Sequence, residues 1–473
     1  MTSTTIIPAQ PATGLNLPIS SAGNLADVPR QLWLRQAVII GVTLLVALIG
    51  FKTYQTYANV VQTIGKDSVP SIVAAEKIRT QLALAHTEIV NAFLIKETGD
   101  AGPSRQAYKK AIDQSYDSLV EASQNITYGD DERQPILAVM TQLFEYQRII
   151  GMANEAGMHE AAGTDVTDSR DVQLLGQADA LMREHILPSV VGLDQANFKH
   201  LDAAFTEGRQ TASHWLYAFI AVSLILGIIL LETQFKLYAN FRRLLNPAMA
   251  FGLAVFVISI IVFFWHTQSV MSEIRSAKED AFDSVHALSK AKAIAYSANA
   301  QESVYLLLRD KAAKLNQTTL FNDAANQLFS GSIRDIGQLP SDLKLLKNQG
   351  LLGDELANIT FPGEEAMAKK TLQGWLDYVR IDSQIRELEA AGKHDAAVVL
   401  CIGKQPMQSD WAFENFMQAL DGTLSINQAQ FDDAIARAFK HLAWLWMLLI
   451  PIFLGPVIGS VAGLQKRLAE FRD

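Results

Sequence analysis

Basic and metal-ligating side chains are the first candidates for chemistry in this chain of 473 residues. Arg79 and His86 are seven residues apart, so a helix would place both on one face. Arg183 follows in a later helical stretch, just before Pro188. If the three groups converge, they can bind a carboxylate ligand through charge-assisted hydrogen bonds. A solvated helix face with surface ion pairs is the simpler interpretation of the same residues.

Motifs that mark common catalytic and metal sites are missing from the sequence. It has no Walker loop, no GxSxG, no HExxH and no CxxC. The nine histidines are scattered, with no pair at the three- or four-residue spacing that a helical metal site uses. The one cysteine, Cys401, lies in the apolar run AAVVLCIG, where we expect a small buried side chain. We therefore expect no enzymatic activity, no cofactor and no metal.

The elements that carry these residues are set by four apolar stretches, each near the length of about 20 residues that a bilayer requires. We predict transmembrane helices at 36–51, 214–232, 246–267 and 441–464. Their apolar cores contain no carboxylate, lysine or arginine. Transporters and proton pumps usually carry ionisable groups at that depth, so a transporter subunit is disfavoured.

Short basic segments predict the orientation of these helices. The loop 233–245 contains Arg242 and Arg243, and the C-terminal segment 465–473 contains Lys466, Arg467 and Arg472. The positive-inside rule predicts that both segments, and with them both termini, are cytoplasmic. Segments 52–213 and 268–440, in which acidic residues outnumber basic ones, are then extracytoplasmic. Residues 1–35, rich in Pro, Ala and Thr, are predicted to be a disordered cytoplasmic tail.

We call 52–213 and 268–440 the two outer segments. The order of span, outer segment, span and basic segment occurs twice along the chain, which indicates a tandem duplication. In the first copy apolar residues recur at spacings of three and four, as in a helix-packing seam. Adding 213 to each position gives a second seam in register, with Glu302 as its one polar member. The first seam is Ala75, Ile78, Leu82, Ala85, Ile89 and Ala92, and the second is Leu288, Ala291, Ala295, Ala298, Glu302 and Tyr305.

Turn-forming residues divide each outer segment into four helical stretches. In the first segment we expect breaks at 99–103, 128–131 and 161–165. In the second we expect them near 311–317, at 348–350 with 361–365, and at 392–406. No stretch alternates apolar and polar residues as a strand does. The predicted fold is all-α: an integral membrane protein with four transmembrane helices and two extracytoplasmic four-helix bundles in tandem repeat.

The fourth span carries small residues at every fourth position, Gly455, Gly459 and Gly463. Such a stripe allows the close approach of another helix in a membrane. Pro451 and Pro456 interrupt the backbone hydrogen bonding nearby and favour a kink. We predict that the stripe is a helix-packing surface, against the alternative that these glycines recur by chance.

The stretch DSVPSIVAAEKIRTQLALAHTEIVNAFLI, which follows the first span, resembles the four-helix-bundle sensor modules of bacterial chemoreceptors and sensor kinases. The chain departs from those proteins at its end, because nine residues after Leu464 leave no room for their output domains. The four-span layout with RRLLNP between its halves is also similar to GlnX-type membrane proteins. That resemblance implies two partners, an extracytoplasmic solute-binding protein and a cytoplasmic Ser/Thr kinase.

Together these observations predict a non-enzymatic sensor or signal relay in the bacterial inner membrane. Its outer bundles would bind a small solute or a solute-binding protein, and its cytoplasmic arginines and lysines would contact the output partner. We expect a homo-oligomer in the lipid bilayer and no nucleic-acid binding. The alternative is a structural scaffold subunit of a membrane complex, with no sensing role.

Overall fold

The computed structural model describes residues 28–95, 100–159, 169–241 and 246–469. Within these ranges the chain is helical and contains no β-strand, as the sequence predicts. The predicted breaks at 99–103 and 161–165 fall partly or wholly outside them. The helices of the first half are α1 (Val28–Gln62), α2 (Val69–Ile95), α3 (Gly102–Gln124), α4 (Asp130–His159), α5 (Arg170–Leu181) and α6 (Leu187–Phe241). Those of the second half are α7 (Pro247–Arg275), α8 (Asp283–Leu307), α9 (Lys311–Leu328), α10 (Leu351–Ala357), α11 (Glu364–Ala390), α12 (His394–Cys401) and α13 (Ser409–Ala469).

Several of these helices join end to end into four long helical runs, each containing one predicted span. The runs are Pro29–Ile95, Arg170–Tyr238, Pro247–Leu307 and Ser409–Lys466, and all four are long and apolar enough to cross a membrane. Three of them include a π-helical turn, at Thr63–Ser68, Met182–Ile186 and Ser276–Phe282. The first and third turns begin 213 residues apart, which is the offset between the two predicted seams.

Helix α1 begins inside the segment predicted to be a disordered tail. It starts at Val28, and Leu32 on its first turns is 93% buried, at 7% exposure. Arg35 pairs with Glu232 at 3.4 Å. An apolar contact and an ion pair thus stabilise helix over 28–35, where composition alone indicated disorder.

The chain divides into two compact units. The apolar unit comprises the described parts of Met1–Phe51, Leu216–Val262 and Met447–Asp473, and the polar unit comprises Lys52–Trp215 and Phe263–Trp446. In the polar unit both predicted seams are buried, from Ala75 to Ala92 on α2 and from Leu288 to Tyr305 on α8. Helices α2 and α8 also pack against each other, so the two outer segments form one unit.

Each outer segment has its own apolar core, and the two cores meet along α2 and α8. The first includes Leu82 and Tyr146, and it also takes in Val304 from the second segment. The second includes Trp375 and Tyr378, and it takes in Leu94 from the first segment. Because each core contains a buried residue from the other half, the two segments stabilise each other.

The second outer segment departs from the predicted four helices. The break expected near 311–317 is wrong, because α9 begins at Lys311 and the break lies just before it. Asp310 caps this helix, since its Oδ2 accepts a hydrogen bond from the backbone N–H of Ala313 at 2.7 Å. Between α9 and α11 the chain forms two 3₁₀ turns, Ile336–Gln338 and Leu343–Leu346, and the short helix α10.

Helices α4 and α11 begin with the same local structure. The chain has NITY at 125–128 and NITF at 358–361. Glu132 Oε2 accepts hydrogen bonds from the backbone N–H groups of residues 127 and 128, at 2.6 and 2.7 Å. Glu364 Oε2 accepts the equivalent pair from residues 360 and 361, at 2.7 and 2.9 Å. A buried glutamate therefore anchors the loop before the equivalent helix in each half.

Candidate functional site

His86 lies in a buried network that draws side chains from four helices. Its Nδ1 is 3.1 Å from the Tyr146 hydroxyl, and its Nε2 is 3.1 Å from Asp179 Oδ1. Gln301 Nε2 donates to the same carboxylate oxygen at 3.2 Å, and Arg183 Nε lies 3.6 Å from Asp179 Oδ2. Two of the predicted ligand-binding residues, His86 and Arg183, thus face one carboxylate that the chain itself supplies.

The Asp179 carboxylate keeps its charge although it is buried. Burial by itself would raise its pKa, but the hydrogen bond from His86 and the charge of Arg183 outweigh burial and lower it. Burial is the main reason that the pKa of Tyr146 is raised well above its ordinary value. The network therefore combines an ionised carboxylate with a neutral phenol, and Gln301 connects it to the second outer segment.

The third predicted ligand-binding residue, Arg79, lies apart from the other two. Its Nη1 is 3.5 Å from Glu76 Oε1, one turn away on α2. Glu76 in turn faces His286 of α8, whose Nε2 is 3.6 Å from Glu76 Oε1 and 2.9 Å from Asp194 Oδ2 of α6. One ligand atom from each of Glu76, Asp194 and His286 lies within 4.8 Å of the other two.

This three-residue cluster is well shielded from water. The side chains of Glu76 and Asp194 expose 4% and 6% of their surface, and that of His286 exposes 21%. Phe198 stacks on the His286 ring with centroids 4.9 Å apart, and the centroid of the Phe282 ring lies 6.3 Å from that of His286. Neither oxygen of the Glu76 carboxyl accepts a hydrogen bond from any residue in the part of the chain that the structure describes.

The electrostatics of the cluster follow from that burial. Removal from water raises the pKa of Glu76 to about 7; the Asp194 charge adds to the rise, and Arg79 opposes it. For His286 burial acts to lower the pKa, but the hydrogen bond to Asp194 and the charge of Glu76 prevail and raise it. Sequence reasoning missed this cluster because its members lie on three helices, far apart in the sequence.

A third buried polar group surrounds Glu302, the polar member of the second seam. Its Oε1 accepts hydrogen bonds from Ser409 Oγ at 2.7 Å and from Cys401 Sγ at 3.3 Å. Full burial, with the charge of nearby Asp382, raises the pKa of Glu302 well above its ordinary value. Arg386 binds both oxygens of Asp382 at 2.8 Å. Cys401 is 2% exposed, which confirms the prediction of a small buried residue.

In the apolar unit the glycine stripe of the fourth span faces α7. A Cβ on Gly459 would lie 2.9 Å from the Cα of Gly252, and one on Gly455 would lie 3.2 Å from the carbonyl oxygen of Gly252. The carbonyl oxygen of Gly463 accepts a hydrogen bond from Asn246 Nδ2 at 2.9 Å. The two backbones approach closely along this stripe, which is the arrangement that small-residue stripes allow between membrane helices.

The basic residues predicted to contact a cytoplasmic partner are only partly described. Lys466 is exposed on the last turns of α13, and Arg467 belongs to the same helix. Arg242, Arg243 and Arg472 lie outside the described residues.

Comparison with known proteins gives one result that bears on the polar unit. Residues 60–206 match the family model described as an actinobacterial sensor domain. The match runs from the end of α1 to the middle of α6, so it includes His86, Asp179, Glu76 and Asp194. No curated protein matches the chain. The match supports a bacterial sensor domain with an all-helical fold in the first outer segment.

Proposed function

We propose that this protein is a sensor and signal relay of the bacterial inner membrane, without enzymatic activity. Its polar unit detects a small solute or a solute-loaded binding protein outside the cell, and a separate cytoplasmic partner, such as a kinase, receives the signal. The observation that carries the proposal is the sensor-domain match over residues 60–206. Both ends of the matched range lie within helical runs that also contain an apolar, membrane-length stretch.

The proposed topology follows from charge. Both termini and the loop 233–245 are cytoplasmic because their basic residues favour that side of the membrane. The outer segments 52–213 and 268–440 then form the extracytoplasmic polar unit, and the protein acts as a homo-oligomer in the bilayer. The basic residues of the two cytoplasmic segments contact the output partner.

We further propose that the two halves arose by tandem duplication. Three corresponding features support the duplication: the two seams, the π-helical turns, and the loops with the sequences NITY and NITF. So does the pair of contacts from α2 to α4 and from α8 to α11: His86 Nδ1 lies 3.1 Å from the Tyr146 hydroxyl, and Asn299 Nδ2 lies 3.4 Å from the Tyr378 hydroxyl. His86 and Asn299 are again 213 residues apart.

Signal transfer requires an element with two arrangements, and the interface of α2 with α8 offers one. Polar contacts cross it: Ser303 Oγ donates to Asn91 Oδ1 at 2.5 Å, and Thr87 Oγ1 donates to the carbonyl oxygen of Tyr296 at 2.8 Å. Polar contacts of this kind are specific in register, so a ligand that favours another register would shift the two helices. Each of these helices shares its run with an apolar stretch.

A disulfide staple across this interface tests the relay. The variant Asn91→Cys/Ser303→Cys, in a Cys401→Ala background, fixes α2 against α8 when oxidised. The readout is the rate of trypsin cleavage after Lys466 in inside-out vesicles, measured by mass spectrometry of the released peptides. We expect the rate to differ between the oxidised and reduced states. The control is the single variant Asn91→Cys in the same background, whose rate should not depend on oxidation.

The two outcomes separate the candidate functions. A relay predicts that the cleavage rate after Lys466 changes when the disulfide forms. Fixing α2 against α8 would then alter the exposure of the cytoplasmic end of α13. Equal rates in both states, with the disulfide verified by mass spectrometry, would refute the relay and favour the scaffold.

A further inference from the structure

We propose that Glu76, Asp194 and His286 bind one divalent ion of a first-row transition metal. This reverses the expectation of no metal that histidine spacing gave, because the three ligands come from α2, α6 and α8. The proposal rests on the geometry of the cluster and does not depend on the sensing function.

The spacing of the ligand atoms suits a small divalent ion. With metal–ligand distances of about 2.0–2.2 Å for His nitrogen and carboxylate oxygen, tetrahedral neighbours lie roughly 3.3–3.5 Å apart. The His286 nitrogen is 2.9 Å from Asp194 Oδ2 and 3.6 Å from Glu76 Oε1, which brackets that value. All three ligand atoms lie within 4.8 Å of one another, so small side-chain rotations bring them around one ion.

The state of Glu76 supplies the second, independent observation. Its side chain is 96% buried, and neither of its oxygens accepts a hydrogen bond among the described residues. A buried carboxyl whose oxygens accept no hydrogen bond is costly, and buried charged groups in proteins are paired or coordinate metals. Arg79 Nη1, at 3.5 Å from Oε1, is the only ion-pair partner that Glu76 has besides His286 in the described chain.

Charge balance also favours a cation at this position. With Glu76 and Asp194 ionised, His286 neutral and Arg79 positive, the group carries a net charge of −1. A divalent ion changes that to +1 and supplies the Glu76 carboxylate with a positively charged partner.

The ligand types indicate which metals fit. Ca²⁺ takes six to eight oxygens and Mg²⁺ prefers an octahedron of oxygens, whereas this cluster offers two carboxylates and one imidazole. Imidazole suits Zn²⁺ and its first-row neighbours. Three protein ligands leave a fourth position for water or for a group of a bound solute, as in open zinc sites. The bound ion would tie the last helix of the first outer segment to the first helices of both segments.

Direct metal binding tests the proposal. The full chain, purified in detergent without a polyhistidine tag and stripped with chelator, is titrated with Zn²⁺ or Mn²⁺ by calorimetry, and bound metal is counted by mass spectrometry. We expect one ion per chain, undiminished by excess Mg²⁺. Glu76→Gln and His286→Gln should each weaken the affinity at least about 100-fold, more than typical second-shell losses. The matched control is His200→Gln, because His200 is a half-buried histidine that lies 3.3 Å from Asp131. This variant should bind the metal with unchanged affinity.

A spectroscopic measurement on the unaltered chain guards against variants that fail to fold. Co²⁺ in a low-coordinate site with nitrogen and oxygen ligands gives intense visible absorption bands, and we expect these bands at one equivalent. No stoichiometric uptake of any of the three ions by the unaltered chain would overturn the proposal. So would uptake that survives both Glu76→Gln and His286→Gln. The disulfide-staple experiment is unaffected by either result, so the two proposals fail separately.

Discussion

Glu355 offers a quantitative test of how burial controls the stability of the polar unit. It lies on α10, is 3% exposed, and its Oε1 accepts a hydrogen bond from Asn427 Nδ2 at 3.2 Å. Burial raises the pKa of Glu355 from 4.5 to about 7; hydrogen bonds from Ser284 and Asn427 oppose the rise, and the charge of nearby Glu364 adds to it. The folded protein therefore holds a proton on this residue that the unfolded chain releases at lower pH.

The sign of the pH dependence follows from proton counting. Between pH 4.5 and 7 the folded state binds one more proton at Glu355 than the unfolded state, so its contribution to stability falls as pH rises. The difference of 7 minus 4.5 is 2.5 pH units. At 1.36 kcal/mol per unit it corresponds to a cost of about 3 kcal/mol above pH 7. Glutamine has the shape and hydrogen-bonding groups of the protonated acid, so Glu355→Gln removes that cost.

We expect Glu355→Gln to stabilise the protein by less than about 1 kcal/mol at pH 5 and by about 3 kcal/mol at pH 8.5. The measurement is thermal unfolding of the full chain in detergent, followed by circular dichroism. In a unit of this size the gain corresponds to a rise in Tm of about 4 °C. The control is Glu387→Gln, an exposed glutamate of α11, which should change Tm little at either pH. A gain of equal size at pH 5 and pH 8.5 would refute the reasoning, because it would not depend on ionisation.

Two further predictions concern the spans and their orientation. Gly252→Ala should destabilise the apolar unit by about 1–3 kcal/mol, because its Cβ would lie 2.5 Å from a backbone carbonyl oxygen of α13. Gly227→Ala, with nothing within 4 Å of its Cβ, should leave Tm in detergent unchanged, and equal effects would contradict the close packing. In a background without the native cysteine, Asp130→Cys and Lys347→Cys should react with an impermeant maleimide in intact spheroplasts, whereas Lys466→Cys should react only after permeabilisation. Protection at 130 or 347 would contradict the proposed topology.

The sequence was informative where a feature depends on local periodicity. Leu82 and Ala295 were predicted to lie in helix-packing seams, and both are fully buried, at 0% exposure. A pattern of threes and fours predicts a buried face because helix geometry alone sets which residues share it. For the same reason apolar length alone identified four helical runs that can cross a membrane.

Features that depend on tertiary packing could not be predicted in this way. Glu76, Asp194 and His286 have no common spacing, since three helices bring them together. Turn composition places the break before α9 too late, because the helix start depends on the hydrogen bond from Ala313 N–H to Asp310 Oδ2. Hydrophobic periodicity also could not predict that α2 packs against α8. It shows that one face of a helix is buried, but it does not show which element covers that face.

The polar residues of the two cores indicate which half has the more specialised role. Both halves keep a tyrosine contact from the seam helix, with Tyr146 in the first and Tyr378 in the second, so this contact serves the packing that the halves share. The first half adds to it Asp179, whose pKa is lowered by the hydrogen bond from His86 and the charge of Arg183. The second half buries Glu302, whose raised pKa favours a neutral acid, beside the Asp382–Arg386 ion pair. A carboxylate that stays charged in a buried place responds strongly to a change in its partners, whereas a neutral acid responds less. The charged network lies within residues 60–206, the range that matches a sensor domain, and we therefore expect recognition in the first outer segment and support from the second.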